Sequence, residues 1–191
     1  SSFLYNQLMS SDQVRDLIRY LAERLFHIEN YYQIYCELGL HRNKSVTQDA
    51  SEKYLNIINQ HKGFFGPVEE SLRATLTIEL CSFVVPKERK YKSIGRAIDE
   101  LKKLPSAPDL AIKYNKLIQK HKNVINHIEK FRNQYYAHKT FADLHRLPHS
   151  SDVEFQELFS DLKLLLNEAD SYFGNTTWFM DNESNESVND T

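Results

Sequence analysis

Arg132, Asn133 and His138 sit together in the stretch FRNQYYAHKT, residues 131–140, with Tyr135, Tyr136 and Lys139 between and beside them. An imidazole titrates at about pH 6.5 when nothing perturbs it, so His138 can take or give a proton in neutral solution. A guanidinium is a rigid planar cation, and it suits charge developing on a phosphate oxygen better than an ammonium does. The Asn133 amide, directly after the arginine, can orient the guanidinium or touch a phosphate itself. On a straight helix Arg132 and His138 stand about 9 Å apart along the axis and about 120° apart around it. One chain alone therefore makes a loose site, and a two-fold dimer apposing this helix with its mate would bring two arginines and two histidines into one cleft.

Most other catalytic templates are absent. The sequence contains no HExxH pair, no GxSxG elbow and no Walker loop, and its 5 glycines are too few for a glycine-rich phosphate loop. Cys36 and Cys81 lack the spacing of a zinc site and are too few for a disulfide framework, so they read as reduced thiols of a cytoplasmic protein without a signal peptide. His138, Asp143, His145 and His149 lie close enough in sequence to converge on a metal, but nothing in their spacing enforces it. The reading is of a protein with no metal and no cofactor. His121 and His127 are six residues apart, about 120° around a helix, and cannot share one ligand. His121 should be partly buried with the apolar stripe and His127 exposed. No apolar run approaches the roughly 20 residues of a membrane-spanning helix, so no membrane partner is expected.

A net charge of −2 hides a strong segregation. From Lys113 to Lys139 there are seven Lys and Arg against one acid, Glu129; from Asp152 to Asp190 there are ten acids against Lys163 alone. The basic run can attract phosphate although the chain as a whole is slightly acidic. The plainer alternative is that the two runs are solvated helix faces that pair with each other.

The elements that must position these residues are helical throughout. Val14, Leu17, Leu21, Leu25, Ile28, Tyr32 and Tyr35 recur at threes and fours along one long helix, opened by a Ser10/Gln13 capping box and stopped near Gly39. A shorter helix carries Tyr54, Leu55 and Ile58 and ends near Gly63. The GFFGP stretch, 63–67, reads as a turn whose proline opens the next helix, which runs through Leu72, Leu76 and Leu80 and stops before Pro86. Ser93 caps the segment holding Ile94, Ile98 and Leu101. A second long helix then runs from Leu110 through Tyr114, Leu117, His121, Val124, Ile128 and Phe131 to Tyr135. After a loop from Phe141 to Ser151, Asp152 caps the last helix, which carries Phe155, Leu158, Phe159, Leu162, Leu165, Leu166, Ala169 and Phe173. No segment alternates with a period of two. The expected fold is an all-α, up-and-down helical bundle with two long antiparallel helices and shorter flanking ones. Residues 1–173 make one domain and 174–191 an acidic tail, part of which Trp178 and Phe179 could pin to the body.

The stretch Arg132–Asn133, four further residues and His138 resembles the signature of the HEPN superfamily, an arginine and a histidine four to six residues apart with a polar residue often following the arginine. The aromatic and small residues before His138 look like the abortive-infection (Abi) branch of that superfamily, and so does TIELCSFVVPKERKYKSIGRAIDEL, residues 77–101. Lys139 departs from that branch, which often has a small residue followed by Asp. The resemblance implies a HEPN-like bundle in bacterial defence and a metal-independent endoribonuclease with a composite dimer site. In it His138 is the acid or base and Arg132 holds the scissile phosphate, with Asn133, Tyr135, Tyr136 and Lys139 binding substrate and the tyrosines stacking on bases. The implied partners are RNA, a second copy of the chain and an antitoxin. A non-catalytic helical module that docks an acidic partner, a nucleotide or RNA in a toxin–antitoxin or abortive-infection system is the competing expectation.

Overall fold

The computed structural model describes residues 9–38, 47–85, 92–137 and 152–174. Seven helices account for them: α1 (Ser11–Leu38), α2 (Gln48–Gln60), α3 (Lys62–Val84), α4 (Ile94–Leu101), α5 (Ala111–Lys120), α6 (Lys122–Ala137) and α7 (Asp152–Ser171). No strand occurs among the described residues, and no helix there is long and apolar enough to cross a membrane. Gly39, the basic segment after Pro86, the loop from Phe141 to Ser151, and Trp178 and Phe179 all lie outside the described residues.

Local signals explain several of the helix ends. At α1 the Ser10 N–H donates to Gln13 Oε1 at 2.8 Å and the Gln13 N–H donates to Ser10 Oγ at 3.3 Å, the reciprocal box that satisfies two otherwise orphaned amides. The Ser93 hydroxyl accepts from the Arg96 N–H at 3.3 Å and starts α4. Helix α3 stops at Val84, two residues before Pro86, where the chain turns extended at Val85.

Two boundaries differ from the sequence expectation. The turn before α3 falls at His61, and Gly63–Pro67 lies inside the helix. Proline's fixed φ fits a helix, and so close to the N-terminus its missing N–H leaves only the Gly63 carbonyl without its intrahelical partner, at an exposed position that water can reach. The second long helix is broken in two at His121, whose φ of −98° and ψ of 16° interrupt α5 and α6. Backbone hydrogen bonds still bridge the break, His121 N–H to the Leu117 carbonyl and Ile125 N–H to the His121 carbonyl, each at 3.0 Å. The hydrogen-bond ladder thus runs on through the irregular residue.

The core is one contiguous cluster. Leu17, Leu21, Leu25 and Ile28 of α1, Leu76, Leu80 and Phe83 of α3, Ile94 and Leu101 of α4, Tyr114 of α5, Ile128 of α6 and Phe159 and Leu162 of α7 all belong to it. Burying each such side chain contributes roughly 1.5–3 kcal/mol. The pairings are antiparallel: α1 lies against α3 and α7, α3 against α6, and α5 against α7. Lys163 Nζ of α7 meets Glu29 Oε1 of α1 at 2.7 Å, and the Tyr32 ring stacks near Phe155, 4.8 Å between centroids. Arg24 ties three helices at once. Its Nε donates to Glu79 Oε2 at 2.6 Å, its Nη2 to the Ser82 hydroxyl, and its Nη1 to the Lys92 carbonyl ahead of α4 at 3.0 Å. Helix α2 stands apart, with no buried residue; the Tyr54 hydroxyl donates to the Glu37 carbonyl at 2.6 Å and holds it to the end of α1.

Candidate nucleic-acid interface

Helix α6 is seated on α3 by its apolar side. Val124, Ile125, Ile128 and Phe131 are buried, and the Cys81 thiol of α3 donates to the Ile128 carbonyl at 3.5 Å. Near the α6 C-terminal half the Arg73 guanidinium of α3 lies 6.0 Å from the centre of the Phe131 ring, a cation over an aromatic face. Arg132 follows at once and is half-buried. Its Nε and Nη2 donate to Asn133 Oδ1 at 3.4 and 3.3 Å, so the guanidinium and the amide after it are in contact. Asn133 itself is exposed. Tyr135 and Tyr136 fall in the last two turns of α6. His138 and Lys139 lie outside the described residues, so Arg132 and Asn133 are the two predicted site residues whose side chains the structure brings together.

The basic run resolves into two populations. Lys113 reaches α7, where its Nζ donates to both carboxylate oxygens of Glu168, at 2.6 and 2.7 Å. Lys120 donates to Asp161 Oδ2 at 2.8 Å, and His121 Nε2 stands 2.7 Å from the same oxygen. These residues realise the pairing of the basic and acidic runs. Lys116, Lys122 and Lys130 belong to the second population: all three are exposed and have no ion-pair partner among the described residues.

Electrostatics at the paired side follow from that geometry. Burial pushes the Asp161 carboxyl up, but hydrogen bonds from Lys120 and His121 outweigh it and hold the group below the ordinary aspartate value. The same bond holds Lys120 above the usual lysine range. His121 is only 4% exposed, while His127, six residues on, is exposed, as the apolar periodicity requires.

The outward face of α5 and α6 carries Lys116, Gln119, Lys122, Asn123, Asn126, His127, Lys130 and Asn133, all exposed. Asparagine is a poor helix former, roughly 0.5 kcal/mol worse than alanine at each exposed interior position. Asn123 and Asn126 are therefore a cost to helix stability with no packing return. Sequence reasoning missed them. Their signal is a row of lysines and amides at threes and fours, with Glu129 the one acid at its edge. It also missed Arg73, which lies on another helix and is invisible to any local pattern. Among the described residues no cluster of three or more His, Cys, Asp or Glu is placed to hold a metal ion; Asp143, His145 and His149 lie outside them.

A different surface forms where α1 and α3 meet. Tyr31, Pro67, Val68, Ser71, Leu72 and Thr75 line an open groove of about 390 Å³ that contains no charged side chain. Ile34 and Phe64 are exposed on the same two helices.

Neither a family model, nor a curated protein, nor a solved structure matches this chain.

Proposed function

We propose that this chain is a HEPN-like, metal-independent endoribonuclease of bacterial defence type, active as a homodimer. Arg132 holds the scissile phosphate and His138 moves the protons. One imidazole takes the 2′-hydroxyl proton, the 2′-oxygen closes on phosphorus, and the 5′-oxygen leaves as it is protonated. The products are a 2′,3′-cyclic phosphate and a 5′-hydroxyl. Arg132 stabilises the charge on the equatorial oxygens at the moment it develops.

The observation that carries this reading is the Arg132–Asn133 pair. A guanidinium steadied by its neighbouring amide on a half-exposed stretch of a cationic helix is suited to meet a phosphate in one orientation. The buried Phe131 supports the same reading by fixing the helix beneath it.

Purified protein in excess EDTA is expected to cleave varied single-stranded RNAs. His138→Ala and Arg132→Ala should each lower the rate at least about a hundredfold while the circular dichroism spectrum and Tm stay unchanged. Arg132→Lys should not restore it, because an ammonium cannot form the planar two-pronged contact. Equal inertness of the wild type and both variants overturns the reading.

A second reading, a helical interaction module in a toxin–antitoxin or abortive-infection system, draws on the uncharged α1–α3 groove, whose lining resembles the apolar centre of a protein interface. It gains if the wild-type protein is inert on RNA and Leu72→Arg prevents capture of a co-encoded partner.

A further inference from the structure

Lys116, Lys122, Asn123, Asn126, Lys130 and Asn133 run along the outward side of α5 and α6 within roughly a 120° arc and over about 26 Å of axis. The exposed faces of α1, α2 and α7 all carry acids, among them Asp16, Glu23, Asp49, Glu52, Glu154 and Glu157; this one carries none. Glu129 is the one acid of α6, and it lies half-buried on the flank. The other lysines of the run, Lys113 and Lys120, are turned aside into ion pairs with α7, which leaves the outward row uniformly cationic or amide.

We infer that this row is a track for one strand of unpaired RNA. Lys122 and Lys130 are eight residues apart, about 12 Å along the axis, so each can hold a separate phosphate of the same strand. The asparagines between and beyond them donate and accept, as phosphate oxygens, ribose hydroxyls and splayed bases require. A single convex helix offers one line of contacts, which fits one strand better than the two backbones of a duplex. The inference rests on the ribonuclease reading for the identity of the polyanion, and it adds a place where the strand is held. That place meets the Arg132 site at Asn133, whose Oδ1 accepts from the Arg132 guanidinium, and runs from there away toward Lys116.

The test uses His138→Ala protein, so that binding is read without cleavage, and a fluorescein-labelled 20-nucleotide RNA of mixed sequence with no stable hairpin. Anisotropy titrations across a range of salt concentrations should show Lys122→Gln/Lys130→Gln binding about tenfold more weakly at low salt, with the slope of log affinity against log salt reduced by about 1.4, the value for two lost single-strand phosphate contacts. The control Lys53→Gln/Lys102→Gln removes the same charge elsewhere and should change neither quantity. Equal losses in the two double variants overturn the track in favour of a general field effect. A polyglutamate of matched charge that displaces the RNA equally well overturns it in favour of an acidic protein. If the parent protein cleaves RNA and the Lys122/Lys130 variant binds it undiminished, the track fails and the nuclease stands. If the track binds RNA and the parent never cleaves it, the nuclease fails and the track stands.

Discussion

The two sides of the α5–α6 helix pair carry the same kind of residue to opposite ends. On the side facing α7, Lys113 and Lys120 meet Glu168 and Asp161, and the bundle uses their charge internally. On the outward side, Lys116, Lys122 and Lys130 stand among exposed amides, and the one acid near them, Glu129, is half-buried on the flank. A run of basic residues in a sequence is thus two surfaces once it is wound into a helix. Only the side whose charges stay uncompensated can attract a polyanion, and the difference comes from an element that lies forty residues further along the chain.

That contrast can be broken at its strongest point by Asp161→Asn. The variant keeps the shape but removes the charge that Lys120 and buried His121 share, and it should cost about 1–3 kcal/mol in urea unfolding at pH 7. The sign with pH is fixed by the depressed folded pKa of Asp161. Its contribution is fully present above the unfolded value of about 3.9 and is lost as pH falls through the lower folded value, so wild type and variant should converge in acid. A gap that persists undiminished at about pH 2 would refute the charge-based account.

A smaller effect sharpens the same point. Lys113→Met removes a pair whose lysine is more than half exposed, and solvent screening should hold the loss to about 0.5 kcal/mol, vanishing in molar salt. A loss several times larger would mean that the paired side is a structural requirement of the bundle. On the outward side the expected sign reverses. Asn126→Ala should raise stability by roughly 0.5 kcal/mol through helix propensity while weakening RNA binding. A gain in stability with RNA affinity unchanged would mark Asn126 as an ordinary solvent-facing residue.

Much of this architecture is legible in the sequence because helix signals are local. The Ser10/Gln13 box, the Ser93 cap, the stop before Pro86 and the burial of His121 against the exposure of His127 all follow from residues within a turn or two. The two misplaced boundaries have physical reasons of different kinds. Pro67 is compatible both with opening a helix and with sitting one turn inside it, and the sequence rule cannot separate these when the orphaned carbonyl is exposed. The break at His121 coincides with the contact of its ring to Asp161, a partner outside any local window. At the candidate site, Arg132 and Asn133 stand out through their spacing and adjacency. Arg73 beneath Phe131 does not, because only the packing of α3 on α6 brings it there.

Helix α2 contributes no buried side chain; the Tyr54 hydroxyl ties it to the end of α1 and it lies against α3. Releasing it would open no cavity among the packed leucines and isoleucines. Its amides should therefore exchange with solvent through a small, local excursion, long before the remainder of the bundle gives way. A probe attached to α2 should then report on that local opening without disturbing the packed bundle.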